Sequence, residues 1–145
     1  MLHVERALPA PRPRIFKLHS EPDQWARWWG PTGFTVSGIE VDLRVGGHYR
    51  ILMQPPEGEG FALAGEFRRV EYPALLTYTF RWEEPDPDDQ ETIVDFSLAD
   101  AGDATDVTVD QGPFLTEARR ALHTRGWTDT LDRLYQVVVN DTAAF

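Results

Sequence analysis

The sequence predicts an α+β fold: a seven-stranded, curved antiparallel sheet wrapped around one long C-terminal helix, with two short helices after the first strand. Three observations carry this prediction. From Phe34 to Val109 apolar residues recur with a period of two, in segments separated by Gly, Pro and Asp turns, the pattern of half-buried strands. The turns are of hairpin length, which suits antiparallel neighbours and not parallel ones. From Thr116 to Asn140 the period becomes helical, and Trp127, Leu131, Leu134 and Val138 fall at i, i+4, i+7 and i+11 on one stripe. A helix with one apolar stripe needs a surface to lie on, and a curved sheet supplies it. Such a pairing leaves room for a pocket between the two.

The elements follow in order. Residues 2–8 alternate weakly and end at Pro9, which reads as a first strand at a sheet edge or with the proline at a strand end. Pro9-Ala10-Pro11-Arg12-Pro13 breaks it and leads into a short helix through Arg14–His19, proline being tolerated in a first helical turn. Ser20-Glu21-Pro22-Asp23 reads as a second N-cap, with a carboxylate three residues after the serine. The helix it starts would carry Trp25, Trp28 and Trp29 on one face and stop at Gly30-Pro31. In the strand 34–42 the apolar parity flips across Ser37-Gly38, which predicts a bulge.

Gly46-Gly47 turns the chain into a strand whose Tyr49, Ile51 and Met53 share a face. Residues 55–60 form a hairpin loop by composition. Phe61, Leu63, Gly65 and Phe67 then point one way, followed by Leu76, Tyr78, Phe80 and Trp82 on the next strand. Val94, Phe96 and Leu98, then Val107 and Val109, mark the last two strands. After the first strand this is one antiparallel meander.

One tension remains in the long helix. Leu115, Ala118 and Leu122 lie nearly opposite Trp127, Leu131 and Leu134, and a straight helix cannot bury both stripes against one sheet. Gly126 sits at the changeover. The expectation is a tilt there, or a loop or second subunit covering the second stripe.

With 145 residues, 41% hydrophobic and 26% charged, the chain is expected to form a single domain over residues 1–145. No run approaches the length of a membrane span, and the first residues carry no signal-peptide core. Absence of cysteine excludes disulfides, thiolate catalysis and cysteine-ligated metals, and fits a cytoplasmic protein. A formal charge of −10 argues against nucleic-acid binding and anionic membrane surfaces. Much of that charge lies in Glu83–Glu91. Its prolines and self-repelling carboxylates, without calcium-ligand spacing, read as a solvated hairpin tip and not as an acidic cation or partner site.

The four histidines form no metal-ligand motif, so neither a metal nor a cofactor is expected. His48 falls opposite Tyr49 and Ile51, on the solvated face. His123, four residues before Trp127, lies beside the sheet-facing stripe. It is the one histidine placed to present a base to a cavity, against the plainer reading of a hydrogen-bonded helix margin. Of Trp28 and Trp29, one reads as core and the other as cavity wall. Arg44 and Asp42 read as a local pair fixing the Gly46-Gly47 turn.

Trp28-Trp29-Gly30-Pro31, Asp42-Leu43-Arg44-Val45-Gly46-Gly47, Gly65-Glu66-Phe67 and Gly126-Trp127 with Leu131 and Leu134 follow one another at a characteristic spacing. In this the chain closely resembles the bacterial homologues of the heat-shock-protein-90 ATPase activator C-terminal domain, in the START-like helix-grip superfamily. The resemblance spans essentially the whole chain and implies a hydrophobic cavity between sheet and helix. It does not carry chaperone activation with it, since fold is not function.

The expectation is a binding module for a small hydrophobic or aromatic molecule. Its walls would be Trp29, Phe34, Met53, Phe80, Phe96 and Trp127, with Tyr49, Tyr78, His123 and Thr130 as orienting polar groups. A polyketide cyclase or aromatase using the same cavity is the enzymatic alternative, with His123 as its only catalytic candidate. A protein-interaction or co-chaperone-like module is the third reading. A homodimer is compatible with all three.

Overall fold

Strand β1 (Leu2–Leu8) opens the chain and pairs antiparallel with the last strand. The computed structural model describes residues 1–143. Helix α1 (Arg12–Ser20) starts with a proline in its first turn, where no N–H is required. It turns Ile15, Leu18 and His19 inward, at i, i+3 and i+4.

The second helix departs from expectation. Helix α2 (Pro22–Trp25) is a single turn, begins after Glu21 without a side-chain cap, and Ser20 closes α1 instead of opening α2. Trp28 and Trp29 therefore lie beyond the helix. Residues 26–28 continue as turn and Gly30 takes a φ of +95°. Trp25, Trp28 and Trp29 are nevertheless all buried. Packing, not helical register, gathers them.

The six strands β2 (Thr35–Val41), β3 (His48–Gln54), β4 (Phe61–Glu71), β5 (Leu75–Trp82), β6 (Thr92–Ala101) and β7 (Ala104–Gly112) form an antiparallel meander. With β1 added the sheet order is β1-β7-β6-β5-β4-β3-β2, so β1 and β2 are the edges. The bulge falls where the parity flip places it, between Val36 and Gly38. In the Gly46-Gly47 turn Gly46 has φ +84°, and Arg44 Nε donates to Asp42 Oδ2 at 2.9 Å beside it.

The inward face carries Tyr49, Ile51 and Met53 on β3, Leu63 and Phe67 on β4, and Leu76, Tyr78 and Phe80 on β5. Val94, Phe96 and Leu98 continue it on β6, and Val107 and Val109 on β7, all buried. Gly65 opposes Tyr49 across β3 and β4. A methyl group there would meet the Thr79 carbonyl oxygen at 1.9 Å and the Tyr49 hydroxyl at 2.7 Å. The missing side chain lets the Tyr49 hydroxyl cross β4 and donate to Thr79 O at 2.6 Å.

Helix α3 (Glu117–Ala143) lies across the sheet with Trp127, Leu131, Leu134 and Val138 buried. This is the expected helix-grip arrangement. The second stripe is not buried: Leu115 stays 54% and Leu122 47% exposed, and the helix runs unbroken through Gly126. The chain's own described residues do not supply the expected cover, because burial of the sheet-facing stripe begins only at Trp127. No helix among the described residues is long and apolar enough to cross a membrane.

The two glycines make opposite predictions. A Cβ on Gly126 meets nothing within 4 Å, so Gly126→Ala should raise stability by about 0.5–1 kcal/mol through helix propensity. Gly65→Ala should lower it by about 1–3 kcal/mol through overpacking. Urea unfolding of the two variants beside the parent chain measures both.

Candidate functional site

Because α3 makes full contact with the sheet only from Trp127 onward, a cavity of ≈ 390 Å³ remains between its N-terminal half and the sheet. The helix contributes His123, Gly126, Trp127 and Thr130, at i, i+3, i+4 and i+7 on one face. The loop after α2 contributes Trp29, Gly30 and Pro31. Opposite them stand Phe34, Met53, Phe61, Phe80 and Trp82 from the sheet and the chain leading into it.

The rings touch edge to face in sequence. Phe34 lies 6.0 Å from Phe61, Phe61 5.3 Å from Trp82, Trp82 5.1 Å from Phe80, and Phe80 5.5 Å from His123. Across the cavity, Trp29 and Trp127 meet at 5.2 Å.

The polar groups differ in how far they are already engaged. Trp127 Nε1 donates to Gln111 Oε1 at 2.7 Å, and Gln111 Nε2 donates to Thr92 Oγ1 at 2.8 Å, a buried chain tying the helix to β7 and β6. Thr130 Oγ1 donates to its own helix, to Gly126 O at 2.7 Å. Arg133 Nη1 donates to the carbonyls of Trp29 at 2.9 Å and Gly30 at 3.0 Å, holding the tryptophan loop in place. Trp29 Nε1, on a side chain only 4% exposed, makes no hydrogen bond. His123 is pushed down to about 4, first by burial and then by the neighbouring Arg119 guanidinium, so its imidazole is neutral at neutral pH.

Seven of the ten expected site residues meet at this cavity: Trp29, Phe34, Met53, Phe80, His123, Trp127 and Thr130. Of the tryptophan pair, Trp28 is the core residue, donating from Nε1 to Leu18 O at 2.7 Å, and Trp29 is the wall. Tyr49, Tyr78 and Phe96 do not reach it. Period-two alternation puts them on the correct face of the sheet. However, α1 and the α2 segment fill the space in front of them, packing Trp25 5.4 Å from Tyr49 and Trp28 6.3 Å from Phe96.

The residues that occupy that space include one the sequence reading passed over. His19 is fully buried among Trp25, Trp28, Trp29, Tyr78 and Phe96, with Nε2 2.9 Å from Tyr78 Oη and Nδ1 unpaired. Burial pushes it down to about 3. The signal was available, since His19 stands on the same stripe of α1 as Ile15 and Leu18.

The acidic loop, Glu83–Glu91, departs from the expected solvated tip. It is no free hairpin tip but folds back on α3, where Arg119 meets Asp86 at 3.0 Å, Asp88 at 2.7 Å and Asp89 at 3.2 Å. Arg119 is 13% exposed and Asp89 8%. Glu84, Asp86, Asp89 and Arg119, with Leu122, form the mouth of the cavity. Arg119, His123 and Trp127 recur every four residues, a spacing that would have marked Arg119 had the loop's return been foreseen. No three His, Cys, Asp or Glu side chains among the described residues converge as metal ligands.

Residues 9–139 match the family described as Activator of Hsp90 ATPase homolog 1-like protein. Among solved structures, the AHSA1 protein of Silicibacter pomeroyi is 24% identical with a TM-score of 0.84, over 97% of this chain and 98% of that one. A protein of Nitrosomonas europaea is 26% identical with a TM-score of 0.81, over 98% and 96%. DynU16, from the dynemicin biosynthetic locus, is 24% identical with a TM-score of 0.75, over 93% of this chain and 45% of its own. No curated protein matches in sequence.

The buried histidine sets a pH dependence. An unfolded His19 takes up a proton near its ordinary 6.5, whereas the folded one resists to about 3. Between those values the unfolded state binds more protons, so stability is complete above 6.5 and is lost as pH falls through the window. Burial of His123 acts in the same direction. Going from about pH 7 to about pH 4.5, His19 alone should cost about 2–3 kcal/mol. Urea melts across that range should show the loss in the parent chain and a slope reduced to roughly half in His19→Gln, with His123 supplying the rest. An unchanged slope would show that His19 is not the group responsible.

Proposed function

The chain belongs to the family of Activator of Hsp90 ATPase homolog 1-like proteins, and from that premise we propose that it binds a small hydrophobic or aromatic molecule in the cavity between sheet and α3. The observation that carries this is a ring-walled space of ≈ 390 Å³ beside a buried indole N–H, that of Trp29, with no acceptor. The volume falls within the usual range for small-molecule sites, roughly 300–1,000 Å³. A buried donor without a partner costs free energy that an acceptor on a ligand would recover. A natural ligand would thus present an apolar, ring-shaped body with an oxygen, a nitrogen or an aromatic π face to accept that N–H.

A cyclase-like reaction in the same space has His123 in its favour, neutral and on the wall. Its depressed pKa makes it a weak base, however, and proton abstraction near neutral pH is most efficient with a base that titrates there. Holding is therefore the better reading than turnover.

Thermal-shift measurements with uncharged aromatic compounds test it. A ligand present at about 100 times its Kd should add about 2.7 kcal/mol and raise the melting temperature by several degrees. Gly126→Phe, which places a ring into open space on the cavity wall, should remain folded and lose the shift. His123→Ala should keep it. No shift in the parent chain across a broad aromatic panel would sink the proposal.

A further inference from the structure

The charges around the cavity are lopsided. Three lining carboxylates, Glu84, Asp86 and Asp89, face a single lining guanidinium, Arg119, which leaves two negative charges uncompensated. Asp88, also bonded to Arg119, adds a third just behind the mouth. Arg119 offers little net attraction to an anionic ligand: although its Nε makes no hydrogen bond, its charge is already shared by three carboxylates at 2.7–3.2 Å and the side chain is 13% exposed. Arg133 donates to the carbonyls of Trp29 and Gly30 and does not line the cavity. His123 adds no positive charge at neutral pH.

Inside this acidic rim the walls are the faces and edges of Trp29, Phe34, Phe61, Phe80, Trp82 and Trp127. Tryptophan and phenylalanine faces attract cations and do not attract carboxylates. Low-dielectric walls also concentrate the field of the rim charges within the cleft.

Building on the aromatic-binding reading above, we propose that the cavity is selective by charge: it takes an aromatic molecule bearing a protonated amine and rejects the corresponding carboxylic acid. The ring system lies among the tryptophans and phenylalanines, and the ammonium group points to Glu84 and Asp86 at the mouth. This sets the chain apart from a carrier of fatty acids or aromatic acids, whose carboxylate would need a free arginine or lysine at the place where this chain puts carboxylates.

Three indoles of nearly equal size separate charge from shape: tryptamine, tryptophol and indole-3-acetate, which are cationic, neutral and anionic at neutral pH. Isothermal titration at low salt should rank them in that order, with tryptamine at least about tenfold tighter than indole-3-acetate. The gap should narrow as salt is raised through about 0.5 M, since rim charges are screened. In the Glu84→Gln/Asp86→Asn double variant, whose side chains keep their shape, the ratio should fall to about threefold or less. Equal affinity for all three, or tighter binding of indole-3-acetate, overturns the charge selectivity while leaving the aromatic-binding reading standing. Failure of all three, tryptophol included, counts against both.

Discussion

Everything of interest in this molecule depends on where α3 settles fully onto the sheet. Full burial begins at Trp127, whose indole is locked through Gln111 to Thr92, and continues through Leu131, Leu134 and Val138. The far end is clamped by Asp141, which accepts from Arg27 at 2.7 Å and also pairs with Arg14, so that α1 and the α2 segment are tied to the helix tail. Arg6 of β1 bonds Asp132 at 2.7 Å and lies over the Tyr135 ring. The first turns of α3 have no comparable apolar anchor. They are held by Arg119 on the acidic loop and by His123 against Phe80 and Phe114, and beside these contacts a hollow remains between helix and sheet.

The second organising feature is the cluster of rings in front of β5 and β6. His19, Trp25 and Trp28 fill one half of the concave face and leave the other half open beside Trp29. Burying an imidazole is costly when it protonates, and the ring environment keeps it neutral, at the expense of acid stability. Trp29 stands at the boundary, packed on Trp25 and Trp28 on one side and on Trp127 on the other. Its buried N–H has no hydrogen-bond partner.

The family likeness and the site geometry contribute different things. Likeness to solved structures at 19–26% identity establishes the helix-grip architecture, but a shared architecture does not specify a ligand. That distinction rests on individual side chains. The rim carboxylates, the carboxylate-bound Arg119 and the neutral His123 are properties of this chain's loop 83–91 and the start of its α3, not of the fold.

Local pattern was enough to place every strand, the bulge at Gly38 and the buried stripe of α3, because strand alternation and helical spacing are written in neighbouring residues. The same logic placed seven residues on the cavity wall, those whose inward direction also pointed to open space. It could not tell Phe80 from Phe96, since both face inward and only the packing of Trp25 and Trp28 decides which has a neighbour in front of it. Nor could it foresee that Asp86, Asp88 and Asp89 turn back to Arg119 some 30 residues later, because a loop rich in carboxylates is equally at home in water. Periodicity assigns a side chain to a face; whether that face is filled, hollow or capped by a distant loop is a property of chain segments that meet only after folding.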